Sequence, residues 1–252
     1  MFGAIHGREV FVRLFELEPD LLRDAPVEIQ ERLRIQTTLP LLHADPGPWT
    51  PPLWDQSSVG LLVVSGFLCR VFSLFERDGV ELLGPGDVVR PWQHEHLVSI
   101  PHATEWRALT VVELGVLDRA TSELLAKVPG AFTELVERVV RRANVLSAQL
   151  AIARIRGVAP RLLVLLWCLA DRWGRRESGQ TVLPMPLTHE LLADLVCAER
   201  PWVSVALKTL VTEDRISRRD DGLWVLHGIP PTEAADLIIM QGKAAESLVA
   251  AS

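Results

Sequence analysis

Cationic and hydroxyl side chains collect between Leu187 and His227, in the run LTHELLADLVCAERPWVSVALKTLVTEDRISRRDDGLWVLH. Arg200 and Lys208 fall on one short periodic segment, and Arg215, Arg218 and Arg219 flank the Asp220-Asp221-Gly222 turn. Such groups suit pairing with phosphates and with the edges of bases. What would position them is a pair of short helices across a tight break, followed by two strand-like pieces. Thr188 can cap the first helix by accepting a backbone N–H at its hydroxyl, so that helix begins at His189. The second begins near Glu199, with Pro201 in its first turn, where the N–H groups lack intrahelical partners anyway. Leu192, Val196, Ala198, Val203 and Ala206 are apolar where two crossing helices must interlock, and Ala193 is small enough to let them approach. Val203, Ala206, Leu207 and Leu210 recur at steps of three and four, the inner face of the second helix. This is the pattern of a helix-turn-helix, whose second helix enters the major groove of DNA. The bland alternative is a helical hairpin with no nucleic-acid role, and the strands at the wing position favour the reader over it. The break carries Cys197 where a left-handed backbone favours glycine, at a cost of roughly 1–2 kcal/mol.

The segment resembles the winged helix-turn-helix of the Crp/Fnr transcription regulators, whose usual motif is close to LTxEELAxxxGxSRETVSRxLxxLxxxGLI. Similarity extends more weakly over most of the chain. The resemblance puts Thr188 on the capping threonine and Arg200 on the arginine that reads a guanine. It puts Val203 on the buried valine, Ser204 on a small residue and Leu207 on the core leucine. Pro201 replaces the family's acidic reader and Val205 its second arginine, so the family's best-known DNA preference does not carry over. The resemblance implies a set of DNA contacts: Thr188, His189, Arg200, Trp202, Ser204, Val205, Lys208, Arg218 and Arg219. Of these, Arg218 and Arg219 belong to the wing. It implies double-stranded DNA and a second copy of the chain as partners, with RNA polymerase and a small-molecule effector as further candidates.

Around this reader, 252 residues suffice for one large or two ordinary domains, and a hydrophobic content of 48% supports sizeable cores. Cys69, Cys168 and Cys197 lie far apart, which argues for a reducing compartment and against a disulfide framework. The apolar run Leu162 to Ala170 is too short to span a bilayer. No basic-then-apolar leader is expected, so the reading is a soluble, cytoplasmic protein that engages no membrane. The net charge of −6 gives DNA binding no support by itself. Within the reader, Glu190, Asp194, Glu199, Glu213, Asp214, Asp220 and Asp221 outnumber its five cations. A basic footprint is usual in nucleic-acid binders, so the acids are expected to face away from the cations.

The rest of the chain is expected to be α+β: a jelly-roll or β-roll sensor, a long dimerisation helix, and the winged helix-turn-helix. Residues 8–36 read as mainly helical, with Val10, Leu14, Leu17, Leu21 and Leu22 near one face. Over 39–118, Pro46-Gly47-Pro48, Pro51-Pro52 and Pro85-Gly86 punctuate β-type runs. These runs are Gly60–Ser65, Leu68–Phe75, Val80–Leu83, Leu97–Ile100 and Thr110–Leu117, as in a sandwich or jelly roll. Ser65-Gly66 and Pro85-Gly86-Asp87 resemble the turns of the cyclic-nucleotide-binding β-roll. A helix over roughly 121–156 carries Phe132, Leu135, Val136, Val139, Val140, Ala143, Leu146 and Leu150 at steps of three and four. Such a stripe suits a coiled-coil-like dimer, or packing on the roll itself. Gly157 and Pro160 break it, a further helix runs to about Trp173, and Gly174–Gln180 reads as a surface loop. Ile229-Pro230-Pro231 ends the wing, and a last helix is expected over 232–249. The domains are therefore 1–120, 121–156, 157–228 and a 229–252 extension.

For ligands, the family's cyclic AMP cassette has a glutamate for the ribose and an arginine for the cyclic phosphate. Here Pro91 falls on the glutamate, and His102 or Ala103 on the arginine, so cyclic AMP binding in that manner is not expected. Arg90, Trp92 and His102 remain as candidate contacts for another effector, or as the seal of a ligand-free roll. A His-x-His pair on a strand projects both rings to one face, so His94, His96 and His102 invite a metal or haem reading. The carboxylates Glu95 and Glu105 do not complete a convincing cupin-like set, and a solvated loop is the reading adopted. With three cysteines an iron–sulfur cluster is not expected, and no cofactor is assigned. No Gly-rich phosphate loop, nucleophile elbow or zinc-protease motif is present, so no enzyme activity is expected. The rival classes are a dimeric scaffold with a degenerate DNA reader and a metal-dependent jelly-roll protein.

Overall fold

The computed structural model describes residues 11–52, 58–75, 77–92 and 99–232. Alternating apolar residues build the first part as two antiparallel sheets. One has the strand order β1-β2-β9-β4-β7, from β1 (Phe11–Arg13), β2 (Thr38–Ala44), β4 (Gly60–Ser65), β7 (Val88–Val89) and β9 (Val112–Leu117). The other has the order β3-β8-β5-β6, from β3 (Gly47–Pro48), β5 (Leu68–Leu74), β6 (Arg77–Leu83) and β8 (His102–Ala108). The period of two along β4 explains its unbroken apolar run. Leu61 and Val63 enter the core of the roll with Leu68, Leu83, Trp106 and Leu114. Leu62 points to the opposite face, where Leu14, Phe15, Leu21, Leu22, Leu125 and Leu135 form a second core. Gly66 turns β4 into β5 at φ +80°, and any Cβ there would run into the Val111 carbonyl, so only glycine fits.

The N-terminal segment is mainly helical over its described part, as expected, but not one helix: the short strand β1 leads into α1 (Leu14–Leu17), a 3₁₀ turn at Pro19–Leu22 and α2 (Val27–Gln36). Leu14, Leu21 and Leu22 are buried together, Leu17 is exposed, and Val10 lies outside the described residues. Of the expected strands, Gly60–Ser65 is found as written, whereas half of Leu97–Ile100 lies outside the described residues and its other half, Ser99-Ile100, is a bend. β8 was not anticipated. Its HATEWRA sequence buries only Trp106 and Ala108, too sparse an apolar alternation to announce a strand.

The single helix expected over 121–156 is two helices. α3 (Arg119–Leu125) is capped by Asp118, whose carboxylate accepts Thr121 N–H at 2.8 Å. Gly130, at φ +78°, breaks the path, and α4 (Ala131–Ile152) follows for 22 residues. The chain divides into two compact units, Met1–Phe75 with Leu82–Ala143 and Glu76–Glu81 with Asn144–Ser252.

In the second unit α5 (Val158–Trp173) buries Leu162, Leu163, Leu165, Leu166 and Leu169. The segment expected as a surface loop is a hairpin of β10 (Arg175–Glu177) and β11 (Gln180–Leu183). Ser178 and Gly179 turn it at φ +49° and +83°, the left-handed pair that a two-residue hairpin requires. β10 is exposed throughout, so no apolar alternation marks it. Then come α6 (His189–Leu195), α7 (Arg200–Thr212), β12 (Ile216–Arg218) and β13 (Trp224–Leu226), with sheet order β10-β11-β13-β12. The helix expected over 232–249 lies almost wholly outside the described residues.

Candidate nucleic-acid interface

Local rules build the crossing of α6 and α7. Thr188 Oγ1 accepts Leu191 N–H at 3.1 Å and starts α6. The helix stops at Cys197, which takes the left-handed conformation at φ +52°. Cys197 N–H then reaches Asp194 O at 3.3 Å and Ala198 N–H reaches Ala193 O at 3.0 Å, the paired bonds of a Schellman cap. Leu192, Val196 and Val203 are wholly buried and Ala206 nearly so, while Ala198 is half-buried. Sequence reading missed what braces this strained turn. Arg161, on α5, donates from Nη1 to Val196 O at 3.2 Å and to Cys197 O at 3.3 Å, and from Nε to Ile155 O at 2.7 Å. Nothing local signals that role, because the turn lies 35 and 36 residues further along the chain.

With Val203, Ala206, Leu207 and Leu210 turned inward, α7 presents Arg200, Pro201, Trp202, Val205 and Lys208 to solvent. Trp202 is 54% exposed and Val205 53%. Among the described residues neither Arg200 nor Lys208 forms an ion pair. Ser204 is half-buried and ties the two helices together, its Oγ 2.9 Å from His189 Nδ1 and 3.1 Å from Arg200 O. Burial, then the charges of Arg218 and Arg200, hold the His189 imidazole below its ordinary pKa of 6.5. His189 therefore stands neutral among cations.

On the wing the two arginines differ. Arg218 is exposed, donates to Gly222 O at 3.3 Å and lies over the Trp224 ring at 5.5 Å. Arg219 pairs with Glu177 at 2.7 Å and Asp221 at 2.9 Å, so its charge is already met within the unit. The structure thus gathers Thr188, His189, Arg200, Trp202, Ser204, Val205, Lys208 and Arg218 in the helix pair and wing, with Arg219 turned to carboxylates.

The other expected groups are distributed differently. Arg90 is exposed just past β7, and Trp92 is half-buried against the core of the roll. His102 opens β8 in the other sheet, stacks on Phe72 at 5.1 Å and has Nδ1 3.0 Å from Ile100 O. His94 and His96 lie outside the described residues, and no described cluster of His, Cys, Asp and Glu is arranged to hold a metal. Along α4, Phe132, Val136, Val139 and Val140 are exposed and Ala143 also faces solvent, while Leu146 is half-buried. Leu135 is the exception, 8% exposed and packed in the protomer's own second core. It is a core residue, because it sits one position off the outward seam.

One further group ties α4 to the roll. Arg138 has a side chain only 7% exposed, bonded to Glu18 at 2.6 Å and to Gly86 O at 3.1 Å. Its Nε stands 3.4 Å from Glu134 Oε1, and Arg142 donates to Val88 O at 3.4 Å. Burial opposes the Arg138 charge, yet the two carboxylates raise its pKa and hold it protonated.

No family model matches the sequence, and no curated protein matches it. Solved structures do. FixK2 from Bradyrhizobium japonicum is 16% identical, with a TM-score of 0.57 over 79% of this chain and 96% of that one. A cyclic nucleotide-binding domain containing protein from Listeria monocytogenes is 15% identical, with a TM-score of 0.58 over 73% and 87%. A CRP-family transcriptional regulator from Thermus thermophilus is 19% identical, with a TM-score of 0.53 over 80% and 96%. At such identities the likeness establishes architecture, and the chain has the fold of the CRP/FNR regulators, an N-terminal β-roll followed by a C-terminal helix-turn-helix domain.

Proposed function

We propose that this protein is a DNA-binding transcription regulator, not an enzyme, that works in the cytoplasm as a homodimer on a two-fold-related site. The observation that carries the reading is the outward face of α7, where Arg200 and Lys208 form no ion pair among the described residues, together with the exposed Arg218 of the wing. Residues 157–228 form the reader and α4, within 121–156, joins the two copies, so that reading helices fall about 34–36 Å apart. Residues 1–120 form the sensor, with Arg90 and Trp92, just past β7, as its candidate contacts for an effector other than cyclic AMP and His102, in the other sheet, as a separate candidate. The bonds from Arg138 to Gly86 and from Arg142 to Val88 give the turn preceding Arg90 a direct hold on α4. The 229–252 extension and RNA polymerase remain further elements of this proposal. Among the described residues no helix is long and apolar enough to cross a membrane.

The test is selection of bound DNA from a random pool, followed by titration of Arg200→Ala and Arg218→Ala against selected and scrambled sequences at matched salt. Arg200→Ala is expected to lose about 1–3 kcal/mol on the selected DNA alone, the signature of a bidentate guanine contact. Arg218→Ala is expected to weaken both DNAs alike, because phosphate contacts carry no base information. A second reading, a dimeric scaffold with a degenerate reader, draws on the pairing of Arg219 with Glu177 and Asp221. Failure to retard any DNA, even at low salt, would select it.

A further inference from the structure

The outward face of α7 holds few groups able to hydrogen-bond a base. Each of its hydroxyls is turned back on its own helix: Ser204 donates to Arg200 O at 3.1 Å, Thr209 to Val205 O at 3.2 Å and Thr212 to Lys208 O at 2.9 Å. Ser204 is further engaged by His189 at 2.9 Å. The remaining polar readers are Arg200 in the first turn and Lys208 two turns on. Between them lie Trp202 and Val205, three residues apart and so neighbours on one helix face. Both are more than half exposed, beside exposed Pro201.

An apolar face of this kind can bury itself in a protein partner or against the one apolar group on the floor of the major groove. Charge decides between them. The patch lies among Arg200, Lys208 and Arg218, and burial, then the charges of Arg218 and Arg200, lower the pKa of the neighbouring His189 imidazole. An occupant that is polyanionic at its rim and apolar at its floor fits such a patch. Duplex DNA has such a surface wherever a pyrimidine carries a 5-methyl group, since the thymine methyl projects into the major groove and takes apolar contacts.

We propose that Trp202 and Val205 read pyrimidine 5-methyl groups, so that each half-site places thymine or 5-methylcytosine opposite the first two turns of α7. The inference rests on the DNA-binding reading above and adds what the helix selects. Arg200 supplies one hydrogen-bonded guanine contact, and the next positions are chosen by methyl burial. One buried methyl-sized group contributes roughly 0.8 kcal/mol, about four-fold in affinity.

The experiment uses the full chain and the DNA selected from the random pool. Each thymine is replaced singly by deoxyuridine, which removes the methyl and leaves base pairing intact. Cytosine and 5-methylcytosine are then placed at the same positions. Wild type, Trp202→Ala and Val205→Ala are titrated on every duplex; both residues are exposed, and circular dichroism checks that the variants remain folded. The expected result is about a four-fold loss with deoxyuridine at one or two positions per half-site. Trp202→Ala or Val205→Ala should abolish that loss, and 5-methylcytosine should bind more tightly than cytosine there. Tighter binding of 5-methylcytosine than of thymine would assign the face to methylated sites, and the reverse would assign it to thymine. Equal affinity for thymine and deoxyuridine throughout, or discrimination that persists in both variants, would overturn the proposal while leaving DNA binding intact. Failure to bind any DNA would overturn the underlying reading, and this inference with it.

Discussion

His189 Nδ1 lies 2.9 Å from Ser204 Oγ, which joins the start of α6 to the first turns of α7 across the helix crossing. Ser204 also donates to Arg200 O at 3.1 Å, so the pair ties the first turn of α7, which carries Arg200 and Trp202, to α6. Burial first, then Arg218 and Arg200, disfavour the imidazolium.

A pH dependence follows. The folded pKa of His189 is lowered, so the unfolded chain takes up the proton first as pH falls below about 6.5. The stability associated with the neutral ring is complete above 6.5 and declines toward the lower folded value. Thermal unfolding of wild type and His189→Gln over this range should show a difference that shrinks on acidification. A pH-independent difference would count against the assignment.

The apolar stripe of α4 divides into an outer and an inner part. Phe132, Val136, Val139, Ala143, Leu146 and Leu150 follow alternating steps of four and three, the seam of a two-helix coiled coil. Val136→Glu with Val139→Glu should shift sedimentation from dimer to monomer. Because both residues are exposed, unfolding of the protomer itself should change by no more than about 0.5 kcal/mol. Leu135→Ala should instead cost about 2–5 kcal/mol of stability, since Leu135 fills the protomer core. An unchanged dimer in the double glutamate variant would remove this seam from the interface.

Arg138 balances two carboxylates in a site with little water. Its removal strands Glu18 and leaves Glu134 only the more distant Arg23 and Arg141, each at 4.0 Å, and breaking such a buried pair costs about 3–5 kcal/mol. Denaturant unfolding of Arg138→Ala should show a loss of that order. Arg141→Ala, with a side chain 63% exposed, should stay within about 0.5 kcal/mol of wild type. Equal effects of the two variants would mean the buried network contributes nothing special.

Cys197 holds a left-handed backbone without being glycine. Relief of that strain, roughly 1–2 kcal/mol, exceeds the added freedom glycine brings to the unfolded chain, roughly 0.5–1 kcal/mol. Cys197→Gly should therefore stabilise by about 0.5–1 kcal/mol in equilibrium unfolding. A destabilised variant would show that the Arg161 brace already compensates the strain.

What the chain by itself determined was local. The Thr188 cap, the left-handed Cys197, the inward face of α7 and the apolar run of β4 each follow from spacing or turn chemistry within a few residues. Tertiary structure decided what depended on distant neighbours. Leu135 and Val136 share one stripe, and only the packing of α4 on Leu14, Phe15 and Leu125 turns the first inward and leaves the second outside. Arg219 reads as a phosphate contact until Glu177, 42 residues earlier, is placed beside it by the β10–β11 hairpin. The hairpin was itself hidden, because exposed strands carry no apolar alternation. Arg161 reaches the Cys197 turn, and Ser204 meets His189, only once α5, α6 and α7 are packed. Periodicity records which face of an element is apolar, whereas the partner on that face is set by contacts between segments far apart in the chain.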